Sequence, residues 1–173
     1  MIDTVYIDMD GVLVDFELYI NTHFPWIRDH NDIKLMLHGL DPSSSTFFTR
    51  LKPVEDFSIA TAFIKKLINQ DYIVNILTSS GNVVAKSKIA EDKKNWINNF
   101  LYPAIGQEIN IHVVHGSHIK SSYAISVNCN ANILIDDFYG AGVPFRQAGG
   151  IWIKHKNWRD TINEFNYIIE NQK

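Results

Sequence analysis

Short apolar runs alternate with amphipathic stretches along the 173 residues of this chain. Five of the runs are short, apolar and rich in β-branched residues, which is typical of buried strands. They occupy residues 4–8, 72–78, 108–114, 132–136 and 150–154. The pattern therefore predicts five strands, with connections between them that are long enough to hold helices.

Helical periodicity fills two of these connections and the end of the chain. Residues 56–70 carry apolar side chains at helical spacing, and Asp56 or Ser58 is placed to cap the start. Residues 87–101 and the segment after Asn157 show the same spacing. Strands that alternate with helices indicate a parallel sheet covered on both faces, so the predicted fold class is α/β.

One region interrupts this alternation, because residues 16–55 contain no strand-like run. The region is rich in aromatic side chains: Phe16, Tyr19, Phe24, Trp26, Phe47 and Phe48. We interpret it as a small helical insertion after the first strand, at the edge where open α/β sheets bind their ligands. The predicted organisation is a core of residues 1–15 and 56–173 with a cap of residues 16–55.

Polar residues stand at the ends of three predicted strands. They are Asp8 and Asp10 in the first, Thr78 and Ser79 in the second, and Asp136 and Asp137 in the fourth. The carboxyl ends of parallel strands share one edge, so these residues are expected to converge, with Asp8 and Asp10 facing the same way. Several carboxylates with no neighbouring histidine or cysteine favour Mg²⁺. Together with Lys93, Lys94 or Lys120 as a cation, the set indicates phosphoryl transfer.

The charge, the lengths of the apolar runs and the cysteine content limit the kinds of partner that the protein is expected to bind. The formal net charge of −3 gives no reason to expect tight nucleic-acid binding. No apolar run approaches a membrane span, and no signal peptide is recognisable. Cys129 is the only cysteine, which excludes an intrachain disulfide and fits a reducing compartment. We therefore expect a cytoplasmic protein with a small-molecule substrate and no membrane partner.

Three motifs together resemble those of the haloacid dehalogenase-like phosphohydrolases. DMDGVLVDF at 8–16 is similar to the first motif, DxDG(V/T), ILTSS at 76–80 to the second, and ILIDD at 133–137 to the fourth. FFTRLKPVEDFSIA at 47–60 and KKNW at 93–96 make the 5'(3')-deoxyribonucleotidases of phage and bacteria the most similar group. The resemblance implies a Rossmann-like sheet flanked by helices, a small helical cap after the first strand, and Mg²⁺-dependent hydrolysis of nucleoside monophosphates.

The resemblance also assigns roles to the carboxylates. Asp8 would be the nucleophile that forms an aspartyl-phosphate, and Asp10 the general acid and base. The carboxylates of Asp8 and Asp136 and the backbone carbonyl of Asp10 would hold Mg²⁺. Asp137 would support the water shell of the metal.

The remaining roles concern the substrate. The residues that would bind its phosphate are Thr78, Ser79, Lys93 and Lys120. Lys120 would fill the third motif, with Lys88 and Lys94 as alternatives. Phe16 would reach the base, with Phe47 or Phe48 as a second wall.

Two other functions stay open at this point. One is a phosphatase of the same type for another small ester, such as a sugar phosphate. The other is a non-catalytic nucleotide-binding regulator that keeps the fold. The sequence leaves the base, the sugar and the 5' or 3' position of the phosphate open, and a homodimer is an option because dimers occur among the relatives.

Overall fold

A computed structural model describes residues 2–41, 43 and 46–171. Its strands are β1 (Thr4–Ile7), β2 (Ile73–Ser79), β3 (Asn110–Val114), β4 (Ile133–Asp136) and β5 (Ile151–Lys154). They form a sheet in the order β3-β2-β1-β4-β5, and every neighbouring pair is parallel. The predicted α/β class is confirmed, and the strand ends differ from prediction by at most two residues.

The helices are α1 (Phe16–His23), α2 (His30–His38), α3 (Phe57–Asn69), α4 (Lys86–Trp96), α5 (Tyr102–Ile105), α6 (Tyr139–Gln147) and α7 (Trp158–Glu170). A π-helical turn, Ile97–Leu101, joins α4 to α5, and 3-10 turns occur at Phe48–Arg50 and Ser117–Tyr123. The helices predicted at 56–70, at 87–101 and after Asn157 correspond to α3, α4 and α7. Over the described ranges, no helix is long and apolar enough to cross a bilayer.

The predicted cap of α3 is corrected by the structure. Asp56 precedes the helix, but its side chain makes no capping hydrogen bond there. Asp56 Oδ2 instead accepts the backbone N–H of Trp158 at 2.8 Å, at the start of α7. The carboxylate therefore ties two helices together, a contact that local spacing does not reveal.

Two apolar clusters cover the two faces of the sheet. On β1, Val5 and Ile7 belong to the larger cluster, which also contains side chains of α3, α4 and α7. Tyr6, between them, points to the smaller cluster, which includes residues of α6. This alternation along the strands leaves the strand ends, rather than the strand faces, to carry polar chemistry.

The insertion leaves and rejoins the core beside the carboxyl end of β1. The backbone N–H of Asp15 donates to Lys52 O at 3.0 Å, and Val54 N–H donates to Leu13 O at 3.0 Å. Buried side chains of the insertion, such as Phe48, belong to the same cluster as β1. The insertion is therefore fixed over the strand ends by paired backbone segments and a shared core.

Candidate active site

The chain turns back sharply directly after Asp8. Met9 O accepts the N–H groups of Leu13 at 2.8 Å and of Val14 at 3.0 Å, which closes a tight loop. Because β1 ends at Ile7, the alternation of a strand does not extend to Asp10. The loop, and not the strand, decides where the second carboxylate lies.

Gly11 and Asp137 make a close approach within this loop. Gly11 adopts a left-handed conformation with φ of +70°, and a Cβ at this position would collide with the carboxylate of Asp137. Glycine is therefore required both by the backbone and by the space that Asp137 occupies. The motif glycine brings the loop after β1 against the end of β4.

Lys120 links the ends of β1 and β4. Its Nζ lies 2.8 Å from Asp8 Oδ1 and 2.7 Å from Asp136 Oδ2. The ammonium is buried, which disfavours its charge, but the two carboxylates outweigh this and raise the pKa of Lys120. Lys120 thus lies between a carboxylate of the first motif and one of the fourth, which supports its assignment to the third motif. The alternatives Lys88 and Lys94 lie on α4, and neither is among the described residues that line the cavity around Asp8.

Two of three clustered carboxylates share this lysine. One oxygen from each of Asp8, Asp136 and Asp137 lies within 4.8 Å of the others. Burial and the charge of Asp8 raise the pKa of Asp136 to about 6, and burial, Asp8 and Asp136 raise the pKa of Asp137 to about 7. One ammonium does not neutralise three carboxylates, and their oxygens are the ligands that Mg²⁺ prefers. The residues fit a divalent cation.

Asp10 belongs to a second lysine. Lys93 Nζ bonds to Asp10 Oδ2, lies 2.9 Å from Thr78 Oγ1, and sits 4.7 Å from the ring centroid of Phe48. The side chain of Lys93 is fully buried, and Lys93 is not among the described residues that line the cavity. Lys93 therefore lies behind Asp10, outside the described lining of the cavity, whereas the resemblance implied that it binds the phosphate. Burial raises the pKa of Asp10 even though Lys93 opposes the shift.

Ser79 joins two strand ends through its hydroxyl. Its Oγ accepts the backbone N–H of Gly81 at 3.0 Å and of Gly116 at 3.2 Å. Ser79 lines the cavity, whereas its neighbour Thr78 is buried and bonded to Lys93. With both acceptor positions of Ser79 occupied, its O–H proton is left to donate to an anion.

The carboxylates and Lys120 form the polar floor of a cavity of about 1070 Å³. Its described apolar walls come from the insertion and the core: Phe16, Ile33, Leu37, Val54, Val83 and Phe138. A phosphate ion alone would fill little of this volume, which is in the range of sites for small organic ligands. The cavity therefore suits a phosphate ester with an apolar part.

Of the three aromatic residues expected near the base, Phe16 lines the cavity. Phe47 and Phe48 are absent from its described lining and are 6% and 2% exposed. Their ring centroids lie 6.0 Å and 6.2 Å from that of Phe16. Phe47 and Phe48 therefore lie behind Phe16 as seen from the cavity, because both pack into the core that the insertion shares with β1. Phe138, which follows the fourth motif, lines the cavity in addition to Phe16.

His155 is a cavity residue that the sequence analysis missed. It follows β5 directly, and its Nδ1 lies 2.8 Å from Thr161 Oγ1 on α7. Burial lowers the pKa of His155 to about 4, with Asp56 opposing the shift, so the imidazole is neutral near pH 7. The available signal was its position, because the fifth strand ends at the same edge as the motif strands.

The chain is similar in structure to an L-2-haloacid dehalogenase from Xanthobacter autotrophicus, determined with chloropropionic acid covalently bound. The identity is 13% and the TM-score 0.50, over 88% of this chain and 76% of that one. A hydrolase from Streptococcus pneumoniae TIGR4 gives 12% identity and a TM-score of 0.48 over 98% of each chain. A haloacid dehalogenase-like family hydrolase from Xanthomonas campestris gives 14% and 0.42, over 91% of this chain and 83% of that one.

No protein-family model matches the sequence, and no curated protein matches it. At 13% identity, the likeness to the dehalogenase concerns the fold. This chain thus has the fold of a haloacid dehalogenase: a parallel α/β sheet with an insertion after its first strand.

Proposed function

We propose that the protein is a Mg²⁺-dependent phosphatase of the haloacid dehalogenase-like type that hydrolyses nucleoside monophosphates. The observation that carries the proposal is the bridge from Lys120 to Asp8 and Asp136, with Asp10 held beside it by a different lysine. This arrangement keeps two neighbouring carboxylates in different environments. Different environments are what a nucleophile and a general acid need.

The proposed reaction has two steps. A carboxylate oxygen of Asp8 forms a bond to phosphorus while the bond from phosphorus to the leaving oxygen breaks, and Asp10 gives its proton to that oxygen. Asp10 then takes a proton from a water molecule, whose oxygen attacks phosphorus and breaks the bond to Asp8. Inorganic phosphate leaves, and both carboxylates return to their starting states.

Residues of the floor would bind the phosphate and the metal. Asp8 and Asp136, with the backbone carbonyl of Asp10, would hold Mg²⁺, and Asp137, from the same cluster of carboxylates, would support its water shell. The metal, when bound, would neutralise charge on the phosphate. Lys120 keeps Asp8 oriented, and Ser79 donates its O–H to a phosphate oxygen.

The walls support a nucleotide as the substrate. Phe16 and Phe138 offer rings to a base, and Ile33, Leu37 and Val83 add apolar surface. A sugar phosphate would leave these walls unused, which favours the nucleotide over the other ester. An exposed free thiol at Cys129 supports a cytoplasmic location.

The test measures phosphate release from nucleoside 5'- and 3'-monophosphates and from sugar phosphates. Chloride release from 2-chloropropionic acid is measured beside it, as a control for the chemistry of a protein with the same fold. Each is run with Mg²⁺, with EDTA and with Asp8→Asn. Asp71→Asn is the matched control, because Asp71 is exposed, has φ of 63° and asparagine tolerates that conformation. We expect Mg²⁺-dependent release from nucleotides that only Asp8→Asn abolishes. Release from sugar phosphates alone, or none at all, would contradict the proposal.

A further inference from the structure

We propose that Lys93 and Phe48 are positioning residues that hold Asp10 in place for proton transfer to the leaving group. The inference rests on the proposed function, in which Asp10 is the general acid. It assigns to Lys93 a role other than phosphate binding, and to Phe48 a role other than packing or contact with a base.

The ammonium of Lys93 has no hydrogen left for a substrate. It carries three N–H groups. One bonds to Asp10 Oδ2, one meets Thr78 Oγ1 at 2.9 Å, and the ring of Phe48 faces the ammonium at 4.7 Å. An aromatic face at this distance attracts a cation, most strongly where water is absent. Lys93 is therefore fully engaged inside the protein.

Both elements that carry this contact are fixed. Lys93 lies on α4, and Trp96, one turn later, donates its Nε1–H to Leu51 O at 2.8 Å. Phe48 lies in the short 3-10 turn that precedes Leu51 and is 2% exposed. The hydrogen bond from Trp96 to Leu51 therefore ties α4 to the end of the insertion, where Phe48 lies over the ammonium of Lys93.

The two oxygens of Asp10 are left in different situations. Oδ2 is held by Lys93. Oδ1 is buried and has no hydrogen-bond partner among the described residues. Buried polar atoms in proteins are nearly always paired, and the exceptions are often functional. The hydrogen bond from Lys93 to Oδ2 therefore fixes the carboxylate of Asp10, a residue that lines the cavity.

The choice of leaving group distinguishes a loss that acts through Asp10 from a loss that acts through Thr78 or through the fold. A loss that acts through Thr78, or through the fold in general, affects every phosphate ester. A loss that acts through Asp10 affects esters whose leaving oxygen needs a proton and spares those whose leaving group departs as an anion. A nucleoside monophosphate is of the first kind, and p-nitrophenyl phosphate is of the second.

The experiment measures kcat/KM on both esters for Lys93→Met and Phe48→Leu. The matched controls are Lys94→Met, an exposed neighbour on α4, and Phe63→Leu, a buried ring in the cluster with Trp158 and Phe165. We expect Lys93→Met to lose about 100-fold more on the nucleotide than on the aryl ester. Phe48→Leu should lose about 5-fold more, which is part of the strength of a buried cation–π contact. The controls should lose equally on both.

Equal losses on both esters for Lys93→Met and Phe48→Leu, with wild-type turnover intact, would overturn this inference and leave the proposed function standing. Activity that survives Asp8→Asn, or a wild-type protein that hydrolyses neither ester, would instead overturn the proposed function and the inference with it. If Lys93→Met does not fold, Phe48→Leu decides alone, because it keeps both charges in place.

Discussion

The carboxyl edge of the sheet and the insertion of residues 16–55 line the same cavity with different chemistry. At the edge, ion pairs join charged side chains, as Lys120 joins Asp8 and Asp136. In the insertion, aromatic rings pack edge-to-face, as Phe47 and Phe48 do at 4.8 Å between centroids. Directional contacts fix the positions of single atoms, whereas ring packing fixes a surface. Under the proposed function, the edge is therefore suited to chemistry and the insertion to selecting the rest of the substrate.

The largest expected effect breaks the edge. Lys120→Met keeps the volume of the side chain but leaves Asp8 and Asp136 without their shared cation. We expect kcat/KM for the preferred nucleotide to fall about 1000-fold, because charge at the reacting group is no longer balanced. Steady-state phosphate release measures this, with Lys94→Met as the control. A loss below tenfold would show that the bridge is not needed for turnover.

A second prediction concerns His155, whose burial at the edge of the sheet keeps its imidazole neutral near pH 7. Its pKa is about 4 in the fold against 6.5 unfolded, so its contribution to stability is complete above pH 6.5 and lost as the pH falls to 4. The size is about 3 kcal/mol between these limits. In His155→Gln, the free energy of unfolding in EDTA should depend less on pH over this range by that amount. If the free energy of unfolding of His155→Gln fell between pH 6.5 and 4 as steeply as that of the wild type, His155 would be exposed to solvent rather than buried.

The acidic cluster gives a third prediction, of opposite sign. The raised pKa values of Asp136 and Asp137 mean that the metal-free fold gains stability from them below pH 4 and loses it as the pH rises to 6 and 7. Mg²⁺ at 100 times its Kd should then add about 2.7 kcal/mol at pH 7.5. This corresponds to a rise in Tm of about 5–10 °C.

At pH 5 the same Mg²⁺ concentration should raise Tm less, because both carboxyls are mostly protonated. Asp137→Asn should reduce the shift at pH 7.5, and Asp71→Asn should leave it unchanged. A shift that survives Asp137→Asn and does not vary with pH would mean that the metal binds elsewhere.

The smallest expected effect sharpens the role of the insertion. Phe16→Ala should raise KM for nucleotides about tenfold, which is the loss of one aromatic contact, and leave kcat and the hydrolysis of p-nitrophenyl phosphate nearly unchanged. Phe47→Leu should instead lower the free energy of unfolding by about 1 kcal/mol without changing KM. A change in KM for Phe47→Leu, and none for Phe16→Ala, would reverse the assignment of the wall.

The same contrast explains what the sequence could predict. Parallel strands bring their carboxyl ends to one edge, so Asp8 and Asp136 could be grouped from the order of the strands. Lys120 lies in a 3-10 turn, and only the resemblance to the third motif singled it out, with Lys88 and Lys94 as alternatives. His155 could have been found by the same rule, but it lies outside any motif and was missed. The partner of Lys93 could not be predicted, because the loop after β1, rather than strand alternation, sets the direction of Asp10.

The insertion was less predictable for a physical reason. Phe47 and Phe48 are identical neighbours in the sequence, so only the orientation of the short helices decides which ring faces the cavity. Phe16 is fixed more closely, because it follows the tight loop after β1 and starts α1. Predictability thus falls with distance from the sheet.

The most direct test of the account is to find where the phosphoryl group goes. The protein is mixed with a nucleoside monophosphate labelled in its phosphate, quenched in acid during turnover and mapped by peptide. The account predicts label on the peptide that contains Asp8, and none in Asp8→Asn. Turnover with no labelled peptide, or with label on another residue, would contradict the central claim that Asp8 is the nucleophile.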